Sequence, residues 1–200
     1  MNWDGSGNMG LWRIFNMIFF LLEEQSMKIV LKNLLGKIIA DQDYLLISHN
    51  GMMDLQRAIP KIVPTLSKKF NARIVIVHDQ DNHDCIQLKN KLLLLTQNAY
   101  CPILIRIACK ELESWFLGDM KAIEKAFPKF KSDKYINKQK FRHIDSIHKP
   151  SMIIKDLIPE LNNYEIIPKR KLAESISVHM NINQNNSVSF NHFVNGIKKL

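Results

Sequence analysis

Arg73-Ile-Val-Ile-Val-His-Asp79-Gln-Asp81-Asn-His-Asp84-Cys85 decides how this chain is read. The β-branched run at 74–77 has the composition of a strand buried on both faces of a parallel sheet. In open α/β sheets ligands bind beyond the carboxyl ends of strands, and Asp79 and Asp81 fall there. Two carboxylates so close repel unless a cation compensates, and a divalent ion held by oxygen ligands is the usual compensation. The competing reading is a turn whose aspartates cap the next helix.

Outward from this stretch, apolar runs at 17–22, 44–48 and 102–108 read as three further strands. Helical spacing marks 28–40, with Ser26 as a cap, then 52–70 with interruptions near Pro60 and Pro64, and 84–96. Two short helices follow at 110–116 and 120–127, and later helical signals lie at 151–158, 171–180 and 189–200. Strand and helix alternate, which predicts an α/β layer structure around a mostly parallel sheet. Right-handed crossovers then put every carboxyl end on one edge, where Glu23, His49, Asp79 and Asp81 all lie.

A chain of 200 residues, 46% hydrophobic, suits one domain with a real core. Residues 17–127 read as the α/β core and 128–200 as a basic, mainly helical C-terminal part of it. The net charge of +9 points to polyanionic partners, chiefly nucleic acid. Three cysteines, Cys85, Cys101 and Cys109, form no Cys-x-x-Cys pair and read as reduced thiols of a cytoplasmic protein. The spacing of His49, His78, His83 and Cys85 matches no common zinc module. The apolar run at 14–22 is too short to span a bilayer. Only Arg13 precedes it as a basic residue, and Glu23-Glu24 follows, so it reads as a core strand, not a signal peptide. Residues 1–16 read as a disordered leader, with Met17 as an alternative start. No Gly-rich phosphate loop and no Gly-x-Ser-x-Gly elbow occurs, which excludes nucleotide hydrolysis on a P-loop.

Three constellations carry chemistry. Glu23 with Asp79 and Asp81 forms an acidic set suited to Mg²⁺, or Mn²⁺, with Glu23 as ligand or general base; such a metal activates water or stabilises phosphoryl charge. Glu111 and Glu113 follow the fourth strand. A helix turns residues two apart to different faces, so Glu113 is expected to point inward. His49-Asn-Gly51-Met-Met-Asp54 places a histidine at a strand end, within reach of phosphate or water. Beyond residue 128, Lys129, Lys131, Lys134, Lys138, Lys140, Arg142 and Lys149 face only Asp133 and Asp145 in charge, with Phe130, Tyr135 and Phe141 interleaved. Such a segment either binds a nucleic-acid backbone, its rings stacking on bases, or is a solvated loop whose rings anchor it to the core.

Four segments together resemble the family called domain of unknown function 4276. They are Leu21-Leu-Glu23-Glu-Gln-Ser26, His49-x-Gly51-x-x-Asp54-Leu55, Asp79-Gln-Asp81-x-x-Asp84-Cys85, and Arg106-Ile-Ala-Cys-Lys-Glu-Leu-Glu113-Ser-Trp-Phe-Leu-Gly-Asp119. The similarity covers about residues 17–200, including Asn186, Ser187, Ser189, Phe190 and Phe193 near the C-terminal end. The resemblance implies a Toprim-like three-layer fold with a mostly parallel central sheet and a helical C-terminal region. It also implies Mg²⁺ held by one glutamate, Glu23, and an Asp-x-Asp pair, Asp79 and Asp81. Relatives of this kind include nucleases of the overcoming-lysogenization-defect type; members often sit beside an ATPase, with a suspected role in phage defence. Two positions depart from the family pattern. Its turn lysine is Met52, and the second acid after the opening serine is Met27.

The expectation is a Mg²⁺- or Mn²⁺-dependent nuclease cleaving phosphodiester bonds. Glu23, Asp79, Asp81 and Glu113 would ligate metal and act in catalysis, with Lys110 or Arg106 facing phosphate charge. His49, Lys110, Lys129, Lys131, Lys134, Lys138, Lys140 and Arg142 would contact nucleic acid. The alternatives are a non-catalytic nucleic-acid-binding or sensor subunit acting through an ATPase partner, and a phosphatase or phosphotransferase on a small substrate.

Overall fold

The computed structural model describes residues 17–69 and 71–200. The expected leader at 1–16 lies outside the described residues. Four strands, β1 (Ile18–Leu22), β2 (Tyr44–Ser48), β3 (Arg73–Asp79) and β4 (Ile103–Ala108), form an all-parallel sheet in the order β2-β1-β3-β4. The fold is α/β.

The strand order has a consequence for function. From β1 the chain moves outward to β2, then returns to β3 on the other side of β1 and continues to β4. The direction reverses between β1 and β3, and such a switch point opens a crevice at the carboxyl edge of the sheet. Glu23 follows β1 and Asp79 ends β3, so the two flank that crevice.

Both central strands are buried along nearly their whole length, and their residues alternate between two cores. Phe20, Leu22, Val75 and Val77 pack with α1 (Gln25–Ile38) and the C-terminal helices, while Phe19, Leu21, Ile74 and Ile76 pack with α2 (Met52–Leu66) and α3 (Cys85–Leu95). A period of two along each strand produces this division. The layers are therefore helix, sheet, helix.

Several boundaries differ from those expected. Helix α1 begins at Gln25 with Glu24 as its N-cap residue, and Ser26 lies inside it, its hydroxyl donating to the Glu24 carboxylate. Helix α2 runs through Pro60 and Pro64 without a break, so the expected interruption is absent. Gly51 precedes α2 at φ +93°, a conformation that strains any residue with a Cβ. Its N–H donates to the Glu23 carbonyl (2.9 Å), stitching this turn to the end of β1.

Past β4 come α4 (Glu113–Leu117), α5 (Met120–Ala126), α6 (Pro150–Leu157), α7 (Lys169–Ser177) and α8 (Val188–Ile197), with short 3-10 turns between α5 and α6. Trp115 is fully buried and packs against Phe190 and Phe193 of α8, its indole N–H donating to Ser189 Oγ (3.1 Å). Phe130 and Phe141 are buried, and Tyr135 stacks on Phe130 with centroids 5.4 Å apart. Base stacking by Phe130 and Phe141 is thereby excluded; these rings anchor the basic segment to the core, while its cations face solvent.

Candidate metal and phosphate site

At the crevice between β1 and β3, three acidic side chains are buried. Glu23 is 8% exposed, Asp79 3% and Glu113 0%. Each is placed by its element. Glu23 follows the last residue of β1, Asp79 is the last of β3, and Glu113 opens α4 after the turn that leaves β4. Asp84, not Asp79 or Asp81, caps α3 by accepting the Gln87 N–H (2.9 Å). The capping explanation for Asp79 and Asp81 is thus removed.

Glu23 is held from two directions. Its Oε2 accepts the Asp79 backbone N–H (3.0 Å) and the His78 Nδ1–H (3.0 Å). The His78 ring is fully buried, and Nδ1 also lies 2.6 Å from the Asp79 carbonyl, so Nδ1 must carry the proton. Gln56 of α2 meets the other ring nitrogen at 3.1 Å, its amide donating to a neutral ring. Burial disfavours protonation of His78, but the hydrogen bond and charge of Glu23 outweigh it, and the pKa is raised.

Asp79 and Glu113 are different. Asp79 Oδ1 and both carboxylate oxygens of Glu113 are buried without a hydrogen-bond partner among the described residues. Burial raises the Asp79 pKa well above its ordinary value, and the charges of Glu113 and Glu23 add to this. Burial pushes Glu113 up to about 7, against the pull of Lys169. An unpaired buried carboxylate is costly and rare, so orphaned oxygens that feel one another's charge need a proton or a cation. Lys169, at the start of α7, is the cation that faces them. It pairs with Glu24 (3.3 Å), and although burial opposes its charge, Glu113, Glu24 and Asp79 raise its pKa.

Asp81 stands at the crevice mouth, half-buried, with φ +50°. Burial raises its pKa, and Glu23 and Glu111 add to the shift. Its N–H donates to the Lys110 carbonyl (2.7 Å), and Lys110, at φ +63°, donates its own N–H to Gln80 Oε1 (3.2 Å). Of the two glutamates after β4, Glu111 does not join the buried acids. Its Oε2 accepts the Ser151 N–H (2.9 Å) and ties α6 to this loop.

The remaining expected residues are dispersed. His49 donates from Nδ1 to the Leu22 carbonyl (2.9 Å) and lines a cleft of about 340 Å³ with Glu24, Gly51, Lys169 and Arg170. Lys110 lines a smaller cleft beside Asp81. Lys129, Lys131, Lys134, Lys138, Lys140 and Arg142 are exposed on the C-terminal part. Arg106 faces away from the acids. It donates to the carbonyls of His192 (3.0 Å) and Ile105 (2.9 Å) beside α8, which removes it as a phosphate contact.

A profile described as a domain of unknown function (DUF4276) matches residues 22–198. The chain belongs to this DUF4276 family. No curated protein and no solved structure matches it. Among the described residues, no helix is long and apolar enough to cross a membrane.

The donor set fits a hard divalent cation in chemistry more than in closure. Asp79 and Glu113 offer unsatisfied carboxylate oxygens, the ligands that Mg²⁺ and Mn²⁺ prefer. Yet among the described residues no three His, Cys, Asp or Glu side chains form a ready cage. Mg²⁺ tolerates this, since it keeps several waters and is held by one or two carboxylates together with substrate phosphate.

Proposed function

We propose that this DUF4276 protein is a Mg²⁺- or Mn²⁺-dependent, Toprim-like nuclease that hydrolyses phosphodiester bonds. One observation carries the reading: buried, unpartnered oxygens of Asp79 and Glu113 beside an oriented Glu23, at the switch point of a parallel sheet. Asp79 and Glu113 would hold the ion, with Asp81 closing its solvent side. When bound, the ion supplies Lewis-acid polarisation of a phosphoryl oxygen.

The chain's own residues do the rest. Glu23 takes the proton of the attacking water, because His78 and the Asp79 N–H fix one of its oxygens and leave the other uncommitted. The water oxygen bonds to phosphorus as the bond to the leaving sugar oxygen breaks, and solvent returns a proton to that oxygen. His78 is a positioning residue that steadies Glu23 and shares its negative charge. Lys169 balances the acids and stands near developing phosphate charge. The exposed lysines of 129–142 add a salt-sensitive attraction for a polyanion. An ATPase partner and a role in phage defence complete the proposal.

A second reading, a nucleic-acid-binding subunit without catalysis, is favoured by two facts. Met27, where the resemblance implies an acid, is a fully buried apolar residue, and among the described residues the acids form no ready cage.

Calorimetric titration of Mn²⁺ and Mg²⁺ into the wild type and Asp79→Asn, with cleavage assays on the same samples, separates the two readings. The nuclease reading expects saturable metal binding and strand cleavage, both lost in Asp79→Asn. Oligonucleotide binding with no metal uptake and no cleavage would overturn it in favour of the second.

A further inference from the structure

Among the described residues, four non-glycine residues have φ in the left-handed region: Asn71, Asp81, Lys110 and Lys149. Three of these four line one cleft. Asp81, Lys110 and Lys149, with Asn82, Glu111 and His148, enclose about 80 Å³ at the ends of β3 and β4. Such conformations are costly for residues with a Cβ and persist where the surroundings enforce them. The enforcement is visible. Asp81 and Lys110 are clipped backbone to backbone, and Glu111 fastens Ser151, two residues beyond Lys149, to the same loop.

The contortion delivers charge. Neither Lys110 nor Lys149 has a carboxylate partner within salt-bridge distance among the described residues. Two carboxylates share the cleft with Lys110, Lys149 and His148: Asp81, which the proposed ion would engage, and Glu111, whose Oε2 accepts the Ser151 N–H. The volume suits roughly two or three waters, or one tetrahedral oxyanion, and is too small for a nucleobase. On the opposite half of the sheet edge, beyond β1 and β2, lies the larger cleft lined by Lys169, Arg170 and His49. The buried acids stand between the two. From β2 to β4 there are three strand spacings, about 14 Å, a span that covers several backbone charges of a nucleic-acid strand.

We propose that the cleft of Lys110, His148 and Lys149 is a subsite for a backbone phosphate adjoining the one that reacts. The cleft of Lys169 and Arg170 holds the phosphate on the other side. The centre then takes an internal bond of a polynucleotide strand, not a terminal phosphate or a small phosphoester. This rests on the nuclease reading for the word "reacts", but the two subsites stand on their own geometry.

The test is binding of a short fluorescein-labelled single-stranded oligonucleotide, followed by anisotropy across a salt series. The variants are Lys149→Asn, Lys110→Asn and Arg170→Ala. Asparagine removes the charge and tolerates the left-handed backbone, and thermal unfolding checks that each variant folds. Each variant is expected to weaken binding and to reduce the slope of log K against log salt by about 0.7. Unchanged slopes in folded Lys149→Asn and Lys110→Asn overturn the subsite, whatever the protein does to the strand. Reduced slopes with no cleavage under Mg²⁺ or Mn²⁺ uphold the subsites and overturn the nuclease reading. Cleavage with unchanged slopes does the reverse.

Discussion

Glu113 concentrates the electrostatic tension of the site in one residue. Its carboxyl titrates near 7 in the folded protein, because burial disfavours its charge, while its ordinary value is 4.5. The folded state therefore holds the proton more tightly than the unfolded one between those values. Stability is full below pH 4.5 and declines as pH rises through about 7. The shift corresponds to about 3 kcal/mol. The raised pKa of Asp79 acts with the same sign. The melting temperature without divalent ions is expected to fall between pH 5 and 8, and Glu113→Gln to flatten that fall. A Mn²⁺ supplement should raise the melting temperature of the wild type most at the alkaline end. A pH-independent melting temperature would show that Glu113 is not the residue under strain. His78→Gln tests the neighbouring link. Loss of an orienting partner of this kind lowers activity roughly 10- to 100-fold. For the proposed nuclease the loss should fall on kcat, with the pH profile displaced and KM for an oligonucleotide nearly unchanged. A loss confined to KM would assign His78 to substrate binding.

Among the elements, α8 closes the molecule over the edge strand β4. Arg106 leaves β4 and lies against Gly196, where an added Cβ would come within 2.2 Å of Nη2. Ser187 caps α8, and Asp145 from the basic segment accepts the Ser187 hydroxyl (2.7 Å) and the Ser189 N–H (2.6 Å). Gly196→Ala is expected to push the guanidinium off the His192 and Ile105 carbonyls, a loss of about 1 kcal/mol per hydrogen bond that exceeds the roughly 1 kcal/mol gained in helix propensity, read as a lower urea midpoint with an unchanged slope. No change would mean that the guanidinium moves aside freely. The elements were legible in the sequence to different degrees, for physical reasons. Strands β1 and β3 announce themselves because burial on both faces requires an unbroken apolar run, as in Ile74-Val-Ile-Val77. Helix α2 was legible as a helix but not as an unbroken one, because Pro60 and Pro64 look like breaks and only tertiary packing of Leu55, Ile59 and Val63 shows that they are tolerated. Of the candidate acids, Glu23, Asp79 and Asp81 were legible through their places at strand ends, and Glu113 through the inward face expected of the helix after β4. His78 was not, since a histidine inside a strand reads as core, and nothing local says that its ring turns toward Glu23. Lys169 lies far along the chain in a stretch without a motif. Its meeting with Glu24 and Asp79 is a product of the fold and has no sequence signal.

For the molecule as a whole, the two ends of the described chain are laced together. Helix α7 packs along α1, with Asn33 donating to Ser177 (2.7 Å) and Lys37 to the carbonyls of Val178 (3.2 Å) and Met180 (3.0 Å). Helix α8 seals β4 and surrounds Trp115. A fragment ending before residue 169 lacks both helices and uncovers one side of α1 and of β4. Such a fragment is expected to be cut rapidly in limited proteolysis, where the full chain resists. A resistant fragment would show that the α/β core stands alone. The same lacing sets an order in time. Ribosomes deliver Asp79 and Glu113 well before Lys169, so a nascent chain carries the acids before the cation that answers them. The acidic centre is thus charge-balanced only once residue 169 has been made, and a chain abandoned midway holds its acids unanswered.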